Sequence, residues 1–239
     1  MWLHGAIEST NAEKFGEAGL RFLRVLEIVE MQPNRVVRSS DLGILAGFCS
    51  TAGHPDIALM ALQGALESGE GKDHPERYCA NLLTLANTWR TLGRPSASAA
   101  VNKAALSYAL KHRRFGDAAS ASTNLAIIDA NEGRLSDALK RLQRSLDLLA
   151  QDSHPDTEAI TRLTLIQVVD ALQADPVIAL DAASDLFTRL KSHVGPERWN
   201  PVAQVFNRLV ERYVASHPDL DADAWKRMRF PFVFRERRQ

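Results

Sequence analysis

The chain has 239 residues, of which 45% are hydrophobic, and its 29 Lys and Arg balance 29 Asp and Glu, so the formal net charge is zero. This balance does not favour a domain built mainly to hold nucleic acid, because such domains are usually basic. No apolar run reaches the length of a membrane-spanning helix, and the first residues lack the basic and apolar regions of a secretory signal, so we expect a cytoplasmic protein.

A pattern of small and large residues recurs along the chain at a step of about forty residues. The small position, with one residue inserted before its last copy, is held by Ala18, Ala58, Ser98, Ala138 and Ala179. Eight positions later, the large residue is Leu26, Leu66, Leu106, Leu146 and Phe187. A turn glycine recurs as Gly53, Gly93 and Gly133, and the last copy has Ala174 instead. Small residues let two helices approach closely, so the pattern predicts stacked helical hairpins.

The predicted hairpins follow one another along the chain at about 1–31, 39–69, 76–112, 116–151 and 156–192. The phase then fails, but residues 196–229 keep apolar positions on one side of a helix. We interpret them as helices that cap the array. The repeat array would then span 1–195 and the capping helices 196–229. Pro231 disfavours a helix in the tail 230–239, where Phe at every second position predicts an extended segment.

His-Pro-acid triplets begin at His54, His74, His154 and His217. Proline suits the first turn of a helix, and a carboxylate after it meets the positive end of the helix dipole. We therefore interpret the triplets as helix starts rather than as metal or acid–base sites.

The repeats resemble those of the tetratricopeptide family. The resemblance is carried by NLAIIDANEGRLSDALKRLQRSL (124–146), NLLTLANTWRTLGRPSASAAVNKAAL (81–106) and LGILAGFCSTAGHPDIALMALQGAL (42–66), and it covers roughly residues 1–192. The step of about forty and the His-Pro-acid triplets are most similar to the longer repeats of the kinesin light chain type. The resemblance implies an all-α, right-handed α-solenoid. Asn102 and Ala183 replace a bulky residue of the pattern, so we expect looser packing in two repeats.

The same resemblance implies a peptide-binding role for Asn87 and Asn124. In such repeats the first helices line a concave groove, where asparagines commonly grip the backbone of a bound peptide. A carboxamide both donates and accepts hydrogen bonds, so it can pair with both groups of an extended backbone. By helical spacing, the neighbouring candidates are Thr84, Arg90, Asn131 and Arg162. The alternative is that both asparagines are solvated or cap local structure.

Gly43 and Gly47 lie four residues apart on the first helix of the second hairpin. Each costs about 1 kcal/mol relative to Ala in a helix interior. Either another backbone packs closely there, or the floor of the groove is kept open for a ligand.

The sequence contains no pattern typical of an active site or a metal site. Gly-x-Ser-x-Gly, a phosphate-binding glycine loop and His-Glu-x-x-His are all missing. Cys49 and Cys79 have neither the number of a disulfide framework nor the spacing of a metal site, and we interpret them as half-buried hydrophobic residues. We therefore expect no enzyme activity, no metal and no cofactor.

The C-terminal tail combines aromatic and basic residues. The candidate interface residues are Trp225, Phe230, Phe232 and Phe234. Aromatics between arginines can stack on single-stranded nucleic acid, but they can equally dock on another protein, fold back over the array or remain a frayed tail.

The function predicted from these observations is a non-catalytic interaction scaffold that binds a peptide or a helical segment of a partner protein in its groove. Nucleic acid and membranes are not expected as partners. The alternative is a regulatory sensor whose repeats respond to a peptide or small effector and control a transcription factor or an ATPase. An enzyme is the third hypothesis.

Overall fold

The computed structural model describes residues 35–51, 53–67, 73–194 and 196–230. The chain divides into two compact units, unit 1 up to Ala121 and unit 2 from Ser122 onwards. The predicted hairpin of residues 1–31 and the tail beyond Phe230 lie outside the described residues.

In unit 1 the described helices are α1 (Arg35–Thr51), α2 (Pro55–Glu67), α3 (Pro75–Thr91), α4 (Pro95–Lys111) and the beginning of α5 (Phe115–Asn131). Helix α1 packs against α2, and α3 packs against α4. Helix α3 also contacts both α1 and α2, so the first helix of one hairpin lies against both helices of the preceding one.

Unit 2 contains the rest of α5, then α6 (Leu135–Leu149), α7 (Pro155–Leu172), α8 (Pro176–Thr188), a 3-10 turn (Lys191–His193), α9 (Pro196–Ala215) and α10 (Ala222–Arg229). Helix α7 packs against α6 and α8, and α9 packs against α7 and α8. The predicted capping helix α9 therefore contacts the preceding hairpin in the way that α3 contacts α1 and α2. No strand occurs among the described residues, which confirms the all-α prediction for them.

The turns inside the hairpins share one backbone geometry. Gly53, Gly93 and Gly133 have φ of +84°, +69° and +78°. In the next residue after each glycine, the backbone N–H reaches a carbonyl five residues back, as from Arg134 to Asp129 at 2.8 Å. The turn between α7 and α8 uses Gln173 at φ +53°, not Ala174 as the repeat alignment predicted. An inserted residue before α8 accounts for the shift by one position.

The helix starts follow the His-Pro-acid triplets in three of the four cases. Pro55, Pro75 and Pro155 are the first residues of α2, α3 and α7, and an acidic residue follows each of them. The triplet at His217 lies instead in the turn before α10. That helix begins at Ala222, because the Asp221 carboxylate accepts from the backbone N–H groups of Asp223 and Ala224.

The two positions where a bulky residue is replaced are fully buried. Asn102 in α4 and Ala183 in α8 are both 0% exposed. The Asn102 carboxamide donates to the Ser98 carbonyl oxygen one turn earlier, at 3.1 Å. Burial of this polar side chain is thus compensated within its own helix.

Candidate functional site

Asn87 is the predicted site residue with the clearest capacity to bind a ligand. It lies half-buried on α3, and its backbone carbonyl accepts from the Thr91 hydroxyl at 3.1 Å. Among the described residues, none hydrogen-bonds to its side-chain carboxamide. Thr84, one turn earlier, donates its hydroxyl to the Ala80 carbonyl at 2.9 Å, so its proton is already used. Arg90 is exposed on the same helix.

Helix α1 brings two further residues to the same side of unit 1. Ile44 and Gly47 precede Thr84 and Asn87 by forty residues each, and α1 packs beside α3. Ile44 is 41% exposed, and a Cβ added at Gly47 would meet no described atom within 4 Å. We call these four residues the unit 1 face. These four residues carry no charge, exposed Arg90 lies one turn beyond Asn87, and the Asn87 carboxamide supplies both a donor and an acceptor.

The two glycines of α1 have different surroundings. A Cβ at Gly43 would lie 2.2 Å from the Asn81 side-chain oxygen, so it is a side chain of α3, not a backbone, that approaches closely. A Cβ at Gly47 would meet no described atom within 4 Å. At Gly43 a side chain thus makes the close approach that the sequence suggested for a backbone, and among the described residues the space beside Gly47 is open. Sequence reasoning did not single out Asn81, because no local pattern pairs it with a glycine of another helix.

The candidates of α5 lie in unit 2. Asn124 is half-buried and Asn131 is exposed at the end of the helix. Since Asn87 belongs to unit 1, the two asparagines are best treated as candidates of two separate surfaces.

Arg162 joins two helices of unit 2. Its guanidinium lies 2.8 Å from both Glu158 of its own helix and Asp185 of α8, and its side chain is only 15% exposed. Arg189 contacts the same Glu158 carboxylate at 2.7 Å. Burial raises the pKa of Glu158, but the hydrogen bonds from the two arginines outweigh it and keep the pKa below its ordinary value. The structure thus places Arg162 in an intramolecular network.

Asp129 is a second carboxylate of unit 2 that is paired with arginines, and no sequence pattern indicated it. Asp129 is 6% exposed and accepts hydrogen bonds from Arg134 at 3.0 Å and from Arg141 at 2.6 Å. Burial raises the pKa of Asp129, and the two arginines outweigh that effect, so that the pKa lies below the usual range. The pair Asp129–Arg141 links α5 to α6, which gives this acid a structural task.

The two described aromatic residues of the predicted tail interface pack within unit 2. Trp225 stacks on Tyr213 with ring centroids 4.6 Å apart, and it meets Phe230 edge-on at 5.4 Å. Phe230 is 1% exposed and also contacts Phe206 at 4.8 Å. The chain thus folds back onto its own core at Phe230. Phe232 and Phe234 lie outside the described residues.

The described residues offer no centre for metal or thiol chemistry. No group of three or more His, Cys, Asp or Glu among them is arranged to hold a metal ion. Cys49 and Cys79 are free and buried, and burial raises their pKa to about 11 and about 12. Both thiols are therefore protonated at neutral pH and weak as nucleophiles. None of the helices in the described ranges is long and apolar enough to cross a membrane.

No family model and no curated protein matches the chain. Among solved structures, the chain is similar to the crystal structure of BtubC (BKLC) from P. vanneervenii. The TM-score is 0.62 and the identity 16%, over 99% of this chain and 93% of that chain. This likeness supports a repeat fold of the tetratricopeptide, kinesin-light-chain-like type, and it confirms the predicted all-α solenoid fold. At this identity the likeness establishes the fold alone.

Proposed function

We propose that the protein is a non-catalytic interaction scaffold that binds a peptide or helical segment of a partner protein on the exposed faces of its first helices. One observation carries the proposal: no described residue hydrogen-bonds the half-buried Asn87 carboxamide, which lies on the unit 1 face. The helical-repeat fold is compatible with this role because it offers a pre-ordered surface.

The chemistry of the unit 1 face fits a polypeptide backbone. An extended chain presents N–H and C=O groups in alternation, and one carboxamide pairs with both kinds. Ile44 adds an apolar contact, and the open space at Gly47 leaves room for a partner side chain. We expect the bound segment to be uncharged where it crosses Gly47 and Asn87 and to meet Arg90 one turn beyond Asn87.

In unit 2 we assign the corresponding role to Asn124 and Asn131. Arg162 is a weaker candidate, because binding a partner would require it to leave Glu158 and Asp185. Loss of these contacts would leave Arg189 as the remaining described cation for both carboxylates.

The experiment that tests the proposal starts with affinity purification of the native protein and identification of what binds stoichiometrically. The dissociation constant of that partner is then measured for the wild type and for the Asn87→Ala and Asn124→Ala variants. The matched control is Asn207→Ala, which removes an exposed asparagine from α9.

We expect Asn87→Ala and Asn124→Ala each to weaken partner binding by about tenfold, since a peptide group left unpaired in an interface costs ~1–3 kcal/mol. Helix content and melting temperature should stay at wild-type values. Unchanged affinity in the double variant Asn87→Ala/Asn124→Ala, with the fold intact, would contradict the proposal.

A further inference from the structure

A cavity of about 480 Å³ opens between α2 and α3 in unit 1. Its walls are formed by Leu59, Gln63, Leu66, Glu67, Leu85 and Trp89. Ligand pockets typically have volumes of ~300–1,000 Å³, so this space is large enough for more than one side chain.

The cavity lies on a different side of α3 from the unit 1 face. Leu85 and Trp89 are four residues apart and share one side of the helix, whereas Asn87 lies two residues from each and thus about 200° around the axis. Whatever occupies the cavity therefore does not occupy the unit 1 face, and the inference goes beyond the proposed function.

The polar part of the cavity is acidic. Glu67 is exposed and accepts a hydrogen bond from the Gln63 side chain at 2.8 Å. Among the described residues, no Lys, Arg or His forms a salt bridge with it. Helix α2 itself carries two acids, Asp56 and Glu67, and neither lysine nor arginine. The lining thus combines one carboxylate and one carboxamide with three leucines and an indole.

The lining of the cavity differs from the equivalent positions of unit 2. Five of the six lining positions recur eighty residues later as Leu139, Gln143, Leu146, Asp147 and Leu165. The sixth is Val169, where unit 1 has Trp89. In unit 2 the three leucines and Val169 pack into one continuous apolar core. The larger Trp89 is thus the residue by which the lining departs most from the equivalent positions of unit 2.

We propose that this cavity is the docking site for an amphipathic basic segment of a partner protein. An apolar side chain of that segment packs against Leu59, Leu85 and Trp89, and an adjacent Lys or Arg reaches Glu67. The indole strengthens the preference for a cation, because cations are attracted to the face of an aromatic ring. Charge complementarity with Glu67 decides against an acidic segment.

The chemistry is tested first with three probes that share one phenylbutyl group: 4-phenylbutylguanidinium, 4-phenylbutanol and 5-phenylpentanoate. Binding to the full chain is followed by the Trp89 indole N–H signal in NMR spectra, assigned with a Trp89→Phe variant. We expect the cation to bind about two- to fivefold more tightly than the alcohol, as for an exposed ion pair, and the anion to bind more weakly than the alcohol.

The Glu67→Gln variant should reduce the advantage of the cation over the alcohol to the part that the Trp89 indole provides, and it should leave the affinity of the alcohol unchanged. Glu76→Gln, which removes another exposed carboxylate of the same unit, is the matched control and should keep the preference. Equal affinities of the three probes in the wild type, or no effect of the cation on Trp89, would overturn the proposal.

A second experiment asks whether the occupant is a polypeptide. A random peptide library is bound to the full chain and eluted with 4-phenylbutylguanidinium. The proposal requires eluted peptides that carry Lys or Arg close to an apolar residue, with binding reduced by Glu67→Gln. Elution of no peptides, or of peptides without a cation, would contradict it and favour a small free cation or a purely apolar ligand.

Discussion

The same three repeat positions are apolar in unit 1 and bear hydroxyls in unit 2. In unit 1 they are Leu83, Ala105 and Ala121, which belong to one apolar cluster. Forty residues later they are Thr123, Ser145 and Thr161, and Thr123 lies 2.8 Å from each of the other two oxygens. The same helical repeat thus accommodates either apolar or hydroxyl-bearing side chains at these three positions.

The hydroxyls of unit 2 form an ordered chain of hydrogen bonds. Thr161 donates its only proton to the Thr157 carbonyl at 2.7 Å, so it accepts from Thr123. Thr123 in turn accepts from Ser145. Because each hydroxyl has a partner, this buried polar cluster connects α5, α6 and α7 without an unpaired group.

The apolar interiors of the two units also differ in continuity. In unit 2 one cluster runs from Ala126 through α6 to α9 and ends at Phe230. In unit 1 the described buried residues form separate clusters, one of α1 and α2 and another around Leu82. In a continuous core, the loss of one contact destabilises several helices. In separate clusters, the destabilisation stays within the helices of one cluster.

The largest test of this contrast uses equivalent leucines of the two cores. Leu62 of α2 and Leu142 of α6 hold the same repeat position, and both are 0% exposed. We expect Leu62→Ala and Leu142→Ala each to cost ~2–5 kcal/mol of unfolding free energy. Hydrogen exchange should show the loss confined to α1–α3 for Leu62→Ala and spread over α5–α9 for Leu142→Ala. Equal spread in both variants would contradict the contrast.

Removing one hydroxyl of the buried cluster should cost less unfolding free energy than truncating a buried leucine, and the losses from the three hydroxyls should not add. Thr161→Val leaves Thr123 without its acceptor, and we expect a loss of ~1–3 kcal/mol. The triple variant Thr123→Leu/Ser145→Ala/Thr161→Ala reproduces the composition of unit 1 and should lose less than the sum of the single variants. Urea unfolding measures each value, and strict additivity would show that the hydroxyls act independently.

The glycines of α1 should respond to alanine with opposite signs. Gly43→Ala forces the buried Asn81 side chain to move, and we expect a loss of ~1–3 kcal/mol. Gly47→Ala meets no described atom and should gain up to ~1 kcal/mol from helix propensity. Melting temperatures compare the two directly. If Gly47→Ala weakens partner binding while raising the melting temperature, the open space contributes to the unit 1 face.

The smallest effect is a difference in pH dependence. The pKa of Asp129 in unit 2 is lowered in the fold, so its stabilisation is present above the unfolded pKa of about 3.9 and is lost as the pH falls through the folded pKa. Burial raises the pKa of Asp41 in unit 1, so its contribution to stability instead falls as the pH rises from about 3.9 through the folded pKa. Asp129→Asn should flatten the acid side of the stability curve, and Asp41→Asn should stabilise the protein at pH 7. Unfolding curves between acid and neutral pH, with Asp137→Asn as an exposed control, measure both slopes.

The local features of the fold were predictable because short-range chemistry decides them. Proline at Pro55, Pro75 and Pro155 begins helices by fixing φ, and Gly93 or Gly133 ends a hairpin turn because glycine tolerates positive φ. The exceptions have equally local causes. Asp221 provides a better cap than the triplet at His217, and Gln173 takes the left-handed position after an inserted residue.

The candidate site was predictable only in part. The resemblance indicated Asn87, and the spacing of the glycines on α1 indicated Gly47. Neither revealed that Asn81 fills the space beside Gly43, or that a cavity lies behind Trp89. Both depend on side chains of two helices meeting at short range.

The sequence by itself therefore determined the helices, their turns and the repeat, since these follow from φ preferences and from the periodicity of apolar residues. Only the tertiary structure decided which candidate side chains already have partners: Arg162 is paired with Asp185 and Phe230 packs against Phe206, while the Asn87 carboxamide has no partner among the described residues. The physical reason is that hydrogen bonds and close packing act over a few ångströms, between residues that the sequence separates by twenty or more positions.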